Sequence, residues 1–217
     1  MGTLVQQRQL AAVTGASSGI GLELARRFAQ HGYDLVICGE DSQILRAAEE
    51  LEATGVRVWA VQVDLRTHDG VETFYREIKR QVSPLDVIAL SAGVVAGGDF
   101  TSESRFDDEE TLIRLNVTSV VHLAKLVAWD MVERGSGRIL ITPSPGANMP
   151  ATLGAMHPAP TAFDLSFAAS LRKELEDTGV TVTALLPGAT DTEVFQRAGL
   201  ARVAAPTPSL LRTGRLF

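Results

Sequence analysis

Residues 14–21 read TGASSGIG, a glycine-rich turn between two stretches of different periodicity. The apolar run LAAV at 10–13 precedes the turn, and the amphipathic run GIGLELARRFAQHG at 19–32 begins within it. This order predicts a strand, a tight turn and a helix. A helix that begins at such a turn presents free N–H groups and a positive dipole end, which bind phosphate. The alternative is a tight strand–helix turn without a ligand.

Each glycine and serine of this turn has an expected role. Gly15 allows a sharp exit from the strand, and Gly19 lets the backbone approach a pyrophosphate. Gly21 lets the helix pack closely against the sheet. Ser17 and Ser18 add hydroxyl donors. Together these residues predict a dinucleotide-binding turn.

The rest of the chain continues the alternation of strand and helix. Further β-rich runs are YDLVIC (33–38), VRVWAVQV (56–63), LDVIAL (85–90), RILIT (138–142) and VTVTALL (180–186). Helical patterns cover 42–55, 71–82, about 109–134 and about 158–177. Such alternation implies parallel strands joined by right-handed crossovers. We therefore predict an α/β fold, a single Rossmann-type doubly wound parallel sheet of about six strands with helices on both faces, in one domain over 1–217.

Composition narrows the class of protein. The 217 residues are 45% hydrophobic and carry a net charge of −6, which argues against a nucleic-acid partner. No uninterrupted apolar run reaches the roughly 20 residues of a membrane span, and the N-terminus lacks the layout of a signal peptide. The single cysteine, Cys38, excludes an internal disulfide and fits a cytoplasmic protein. No group of histidine, cysteine or acidic residues has metal-ligand spacing in the sequence, so we expect no metal.

The glycine spacing TGxxxGxG, rather than GxGxxG, resembles the short-chain dehydrogenase/reductase family. The resemblance runs from about Leu10 to Phe195. Five further segments carry it. They are VDL at 63–65, LDVIALSAG at 85–93, RLNVTSVVHLAKL at 114–126, GRILITPS at 137–144 and LLPGATDTE at 185–193. In the segment LDVIALSAG, Ser91 stands where the family pattern has an asparagine.

The resemblance implies a nicotinamide dinucleotide cofactor and a set of residues that contact it. Asp64 would contact the adenine, and the 185–193 segment would hold the nicotinamide. The implied cofactor-binding residues are Gly15, Ser17, Ser18, Gly19, Ile20, Gly21, Glu40, Asp64, Leu65, Ser91, Ala92, Gly93, Thr161, Pro187, Gly188 and Thr192.

The end of the second strand indicates which dinucleotide is preferred. In this fold an acid there accepts from the two ribose hydroxyls, whereas an arginine pairs with a 2′-phosphate. Glu40 falls where NADP-preferring members often carry arginine, and a carboxylate repels a phosphate. We therefore expect NAD(H) to be favoured over NADP(H). Glu40 and Asp41 also suit the start of the next helix, and both interpretations can hold together.

The resemblance also implies the catalytic residues, with two departures. Asn116 and Ser144 match the family's catalytic asparagine and serine. The family's catalytic tyrosine lies thirteen residues after the serine, where this chain has His157. Its lysine lies four residues further on, where this chain has Thr161.

His157 has arguments for and against a catalytic role. An imidazole, with an ordinary pKa near 6.5, exchanges protons at neutral pH without the help of a lysine. However, a position at the start of a helix favours neutral imidazole, which is a poor proton donor. Thr161 is also too short to replace a lysine that reaches the ribose. A structural or solvent-facing histidine is the alternative.

Two hypotheses of function follow. The first is an oxidoreductase that moves hydride between a nicotinamide cofactor and a small alcohol or carbonyl compound, as the family implies. The second is a non-catalytic relative that binds a dinucleotide or a partner protein. It is favoured by His157 and Thr161, and by the tail after about residue 197, which lacks the pattern of the family's final strand and substrate lid. We expect turnover of simple alcohols and ketones to be undetectable. We also expect a homodimer or homotetramer through the two long helices.

Overall fold

The computed structural model of the chain describes residues 8–95, 98–143, 155–156 and 158–186. Strands and helices alternate along it. They are β1 Leu10–Thr14, α1 Gly19–Gln30, β2 Asp34–Gly39, α2 Gln43–Glu52, β3 Val58–Gln62, α3 His68–Lys79, β4 Leu85–Leu90, α4 Phe106–Ile113, a π-helical segment Arg114–Thr118, α5 Ser119–Arg134, β5 Gly137–Ile141, α6 Pro158–Glu174 and β6 Val180–Ala184.

The described strands form one parallel sheet in the order β3-β2-β1-β4-β5-β6. This is the strand order of a Rossmann-type fold, so the predicted doubly wound sheet of about six strands is confirmed. The chain moves outward from β1 to β3 and then crosses to β4 on the other side of β1. In such sheets a crevice opens beyond the carboxyl ends of the strands where the order reverses, which here is between β1 and β4.

The core lies on both faces of the sheet. Every residue of β1 and β2 is buried, which explains why these strands are continuous apolar runs rather than alternating ones. One face packs around Phe74 of α3 and Met131 of α5, and the other packs around Ile44 and Leu51 of α2. Both layers hold the carboxyl ends of the strands in fixed positions.

Local capping decides where the predicted helices begin and end. The helix predicted over 71–82 begins at His68, because Thr67 caps it by accepting a hydrogen bond from Gly70 N at 3.0 Å. Glycines with positive φ angles lie in the turns between three helices and the strands that follow them: Gly32 at 81°, Gly55 at 88° and Gly179 at 77°. Glycine adopts this left-handed conformation at little cost, since it has no Cβ.

The helix predicted over about 109–134 is a continuous helical segment, Phe106–Arg134, which includes the π-helical turns at Arg114–Thr118. By length and composition alone, it is the one helix among the described residues that could cross a membrane. Its apolar side, which includes Leu123, Val127 and Met131, is buried in the core of the domain. The pattern of a core helix therefore accounts for its apolar composition.

Candidate functional site

A cavity of about 190 Å³ opens at the carboxyl edge of the sheet. The glycine-rich turn lies on one side of it, and the segments that follow β2, β3, β4 and β5 form the rest of its rim. Helix α6 and the π-helical segment contribute Asp164 and Asn116 to one end. Glu40 and Asp64 follow β2 and β3, on the opposite side of β1, and form the other end, so one cavity joins regions that are far apart in sequence.

The glycine-rich turn is held by close backbone contacts. A Cβ on Gly21 would lie 2.2 Å from Gly15 O, and a Cβ on Gly15 would lie 2.7 Å from Ala92 Cα. Gly15 and Gly19 also have positive φ angles of 66° and 56°. A Cβ on Gly19 would meet no atom within 4 Å. Gly15 and Gly21 are thus required for packing, whereas Gly19 leaves free space beside the cavity.

Thr14 joins the turn to the loop that follows β4. Its buried Oγ1 accepts hydrogen bonds from Ser91 N and Ala92 N, both at 2.9 Å. These bonds cross the point at which the strand order reverses. They position Ser91, Ala92 and Gly93 in the wall of the cavity.

Arg66 changes the electrostatics at the Glu40 end of the cavity. Asp64 Oδ1 accepts hydrogen bonds from Arg66 N at 2.9 Å and Arg66 Nε at 2.8 Å. This guanidinium holds the pKa of Asp64 below its ordinary value. It also forms an ion pair with Glu40. The repulsion expected between Glu40 and a 2′-phosphate is therefore offset by a cation that sequence analysis missed, although Arg66 lies only two residues after Asp64.

Asn116 and Thr161 occupy different environments. Asn116 is buried in the π-helical segment, where its Oδ1 accepts from Val94 N at 2.9 Å and its Nδ2 donates to Val94 O at 2.8 Å. Its side chain thus fixes the loop that follows β4. Thr161 is fully buried in α6 and is not among the residues that line the cavity.

Asp164 is a cavity residue that sequence analysis did not identify. Its side chain is buried, at 3% exposure, and burial raises its pKa to about 7. Asp164 Oδ1 has no hydrogen-bond partner among the described residues. A carboxyl group within the largely apolar run AFDLSF was the available signal. Asp164 is thus a polar residue at a helix position where an apolar core residue is expected.

Five predicted site residues lie outside the described part of the chain. They are Ser144, His157, Pro187, Gly188 and Thr192. Their roles remain predictions from the sequence. The same holds for the tail after about residue 197 and the expected lack of a final strand and lid.

The expectation of no metal was based on spacing along the sequence, and that spacing does not show which residues the fold brings together. Ligand atoms of His68, Glu72 and His122 all lie within 4.8 Å of one another. His122 Nε2 is 3.1 Å from Glu72 Oε1, and the two imidazole rings lie 4.5 Å apart between centroids. The packing of α3 on α5 unites residues that are about 50 positions apart, which spacing along the sequence does not reveal.

Comparison with known proteins agrees with this geometry. The family model described as short chain dehydrogenase matches residues 9–202. The oxidoreductase UcpA of Salmonella typhimurium is 34% identical over 87% of this chain and 71% of its own length. The NADP-dependent 3-hydroxy acid dehydrogenase YdfG of Salmonella typhi is 31% identical over 81% and 70% of the two lengths.

A solved structure extends the comparison to the fold. A short-chain dehydrogenase from Sphingobium yanoikuyae, in complex with NADPH, superposes with a TM-score of 0.82, at 34% identity over 88% of this chain and 75% of that one. The strand order and the glycine-rich turn define an α/β protein of the Rossmann type. More narrowly, the chain belongs to the short-chain dehydrogenase family. It is an oxidoreductase-family chain with nicotinamide dinucleotide-binding relatives.

Proposed function

We propose that this chain is an NADP(H)-dependent oxidoreductase that acts on a small alcohol or carbonyl compound. The observation that supports this most directly is a continuous cavity that extends from Glu40 and Asp64, past the glycine-rich turn, to Asn116. The cavity wall fits a polar ligand, since Ser91 Oγ, Thr142 Oγ1 and Asp164 Oδ1 are buried there without a hydrogen-bond partner among the described residues. When bound, the cofactor would supply a carbon centre that gives or accepts hydride.

Different residues along the cavity would bind the cofactor, position the loop after β4 and exchange the substrate proton. The N–H groups of the turn at 15–21 and the start of α1 would hold the pyrophosphate. Asn116 would keep the loop after β4 in place. On the basis of the sequence, Ser144 would donate a hydrogen bond to the substrate oxygen, and His157 would exchange the proton there.

We propose NADP(H) rather than the NAD(H) that Glu40 alone suggested. Arg66 pairs with Glu40 and Asp64, which line the cavity, and so brings a guanidinium next to the place where a 2′-phosphate would lie; arginine suits bidentate phosphate binding. The names of two relatives point the same way, because one is called NADP-dependent and one was solved with NADPH.

A second candidate function is dinucleotide binding without turnover. It is favoured by Thr161, which is fully buried where the family pattern has a lysine that reaches the ribose. A protein of this kind would bind the cofactor and act through a partner protein. Both candidates require a working glycine-rich turn.

Calorimetric titration with NADPH and NADH, followed by a search for turnover with carbonyl compounds, distinguishes these candidates. We expect micromolar binding of NADPH, weaker binding of NADH, and no binding to a Gly19→Asp control, which places a carboxylate beside the pyrophosphate. Turnover that His157→Ala abolishes supports the oxidoreductase. Binding without turnover supports the second candidate, and no binding of either dinucleotide refutes both.

We also propose a homo-oligomer. Exposed apolar side chains on α5 and α6 support it, notably Trp129 at 73% exposure, with Val132 and Phe163. Large exposed aromatic residues are unusual on a monomer and are typical of the centre of an interface. Oligomers would form through these two helices.

A further inference from the structure

Three buried side-chain oxygen atoms in the wall of the cavity lack hydrogen-bond partners among the described residues. They are Ser91 Oγ, Thr142 Oγ1 and Asp164 Oδ1. Buried polar atoms are almost always satisfied in folded proteins, and exceptions commonly mark the place of a ligand or an ordered water. Three exceptions around one cavity therefore indicate a site for polar groups of a ligand.

Asp164 is the costliest of the three to bury. It lies on the inner side of α6 between Thr161 and Ala168, both fully buried. Residues three and four apart share one helix face, so Asp164 belongs to the stripe that packs into the domain. A buried carboxyl without a partner costs several kcal/mol when it is ionised, so its presence is explained best by a ligand that compensates for it.

No charged group among the described residues around Asp164 offsets the cost of burying its carboxylate. The other acidic groups that line the cavity, Glu40, Asp41 and Asp64, lie at the opposite end. In the π-helical segment packed against α6, Arg114 is exposed and pairs with Glu110. Strand β6 has the sequence VTVTA, without an ionisable side chain.

On α6 itself, Arg172, Lys173 and Glu174 lie in the last turns and are exposed. Burial alone therefore accounts for the raised pKa of Asp164, about 7. The described part of the chain supplies no cation that would keep this carboxyl ionised in the absence of a ligand.

We propose that Asp164 is a ligand-binding carboxylate, which accepts hydrogen bonds from hydroxyl groups on the nicotinamide half of the cofactor. This inference rests on the proposed function. Thr161, one turn earlier on α6, is fully buried and does not line the cavity. A carboxylate accepts from two neighbouring hydroxyl groups, as acids at the second strand do for the other ribose of a dinucleotide.

Binding of this kind is linked to the release of a proton. A carboxylate that accepts hydrogen bonds from hydroxyl donors is stabilised in its ionised form, so the ligand lowers the pKa of Asp164. Below about pH 7 the protein therefore releases up to one proton as the dinucleotide binds. The affinity for the dinucleotide then rises with pH until Asp164 is ionised in the free protein.

The test is titration calorimetry at about pH 6 in two buffers of different ionisation enthalpy, since the difference in heat counts released protons. NADPH is compared with 2′,5′-ADP, which lacks the nicotinamide half. The proteins are the wild type, Asp164→Asn and the matched control Glu174→Gln, which changes an exposed carboxyl on the same helix.

The 2′-phosphate of NADPH itself titrates near pH 6, so the proton count of Asp164→Asn is the reference. We expect the wild type and Glu174→Gln to release up to one proton more than Asp164→Asn does, and NADPH to bind Asp164→Asn about tenfold more weakly. 2′,5′-ADP should bind all three alike. Equal proton release from the wild type and Asp164→Asn overturns the role of Asp164 and leaves the proposed function intact. Failure of the wild type to bind NADPH overturns both. If Asp164→Asn does not fold, the same measurement on the wild type with NADH, which has no 2′-phosphate, decides the matter.

An independent observation concerns the three possible metal ligands on α3 and α5. His68 is the first residue of α3, Glu72 lies one turn later on the same face, and His122 lies on α5. Their ligand atoms lie within 4.8 Å of one another, and none of the three residues lines the cofactor cavity. Ligands from two helices would let a single ion join them.

We infer that His68, Glu72 and His122 form a site for a divalent transition-metal ion of the zinc type, which stabilises the packing of α3 on α5. Two imidazole nitrogens and one carboxylate oxygen are ligands that Zn²⁺ accepts, with water in the fourth position. Glu72 Oε1 and His122 Nε2, at 3.1 Å, are already close to the separation of two ligands on one tetrahedral ion. Small side-chain movements would complete the site.

Thermal unfolding of the apo chain with and without equimolar ZnCl₂ tests this site. Zinc should raise the Tm of the wild type and of the control His31→Gln, whose imidazole lies at the end of α1, by a few degrees. It should leave His122→Gln and His68→Gln unchanged. An equal shift in all four proteins, or no shift in the wild type, overturns the proposal.

Discussion

Asn116 binds the backbone of Val94 through both atoms of its amide, accepting from Val94 N at 2.9 Å and donating to Val94 O at 2.8 Å. These bonds connect the π-helical segment to the loop that follows β4. A Cβ on neighbouring Gly93 would lie 3.4 Å from Asn116 Oδ1. The amide thus fixes the wall of the cavity at the end nearest Asp164.

Asn116→Ala should lower the stability of the domain, because two buried hydrogen bonds are lost and the polar atoms of Val94 remain. The expected cost is about 1–3 kcal/mol in the free energy of unfolding. Urea denaturation measures it. Thr118→Ala, an exposed change in the same segment, should cost less than about 0.5 kcal/mol, and equal losses would contradict the role of Asn116.

Gly21→Ala should mainly impair folding, whereas Gly19→Ala should mainly impair binding of the cofactor. A Cβ on Gly21 would overlap Gly15 O, so this variant should lose several kcal/mol of stability or fail to fold. Gly19 has room for a Cβ, so its variant should lose only about 1 kcal/mol through its positive φ. The added methyl should mainly weaken NADPH binding. Thermal unfolding and NADPH titration separate the two effects, and a stable Gly21→Ala would contradict the packing argument.

Arg66→Ala should change the choice of dinucleotide. It removes the guanidinium that pairs with Glu40 and Asp64, so two carboxylates would face a 2′-phosphate. We expect the affinity for NADPH to fall about tenfold or more, with NADH little affected. Arg46→Ala, an exposed arginine on α2, serves as the control. An equal loss of NADPH and NADH affinity would show that Arg66 acts on the fold rather than on the phosphate.

Asp164 should make the stability of the protein depend on pH. Its pKa is about 7 in the folded chain and 3.8 in the unfolded chain. Below about pH 4 both states hold the proton, so the carboxyl carries no penalty. Between about pH 4 and 7 only the unfolded chain releases it, so the free energy of unfolding falls as pH rises, by up to about 4 kcal/mol.

Chemical denaturation of the wild type and Asp164→Asn across this pH range measures the effect. The wild type should lose stability relative to the variant as pH rises to about 7, and the difference should then stay constant. Parallel pH profiles would mean that the carboxyl is solvated in the folded protein. Glu174→Gln should follow the wild type, since its carboxyl is exposed.

Trp129→Glu should disrupt the proposed oligomer without unfolding the chain. Trp129 is 73% exposed, so a charge there costs the isolated fold little. In an interface the same charge would be buried without a partner. Light scattering at micromolar concentration should show an oligomer for the wild type and a smaller species for the variant. A monomeric wild type would refute the proposal.

Much of the fold could be predicted from the sequence because it depends on local patterns. Burial on both sides of a parallel sheet produces continuous apolar runs, so β4 was predicted with its observed bounds, Leu85–Leu90. Helix bounds were less certain, because caps such as Thr67 act through one hydrogen bond. The sequence also predicted Asn116 and the glycine-rich turn, whose residue types and spacing are specific.

Other features were decided by tertiary structure alone. Arg66 neutralises Glu40 only because β2 and β3 are neighbours in the sheet, and His68 meets His122 only because α3 packs on α5. Asp164 becomes a buried cavity residue only when α6 is laid against the sheet and the π-helical segment. By itself, then, the sequence determined the order of strands and helices and the phosphate-binding turn, since these follow from periodicity and neighbouring residues. The charge balance and polarity of the cavity depend on distances between residues far apart in the chain, and only the folded structure sets those distances.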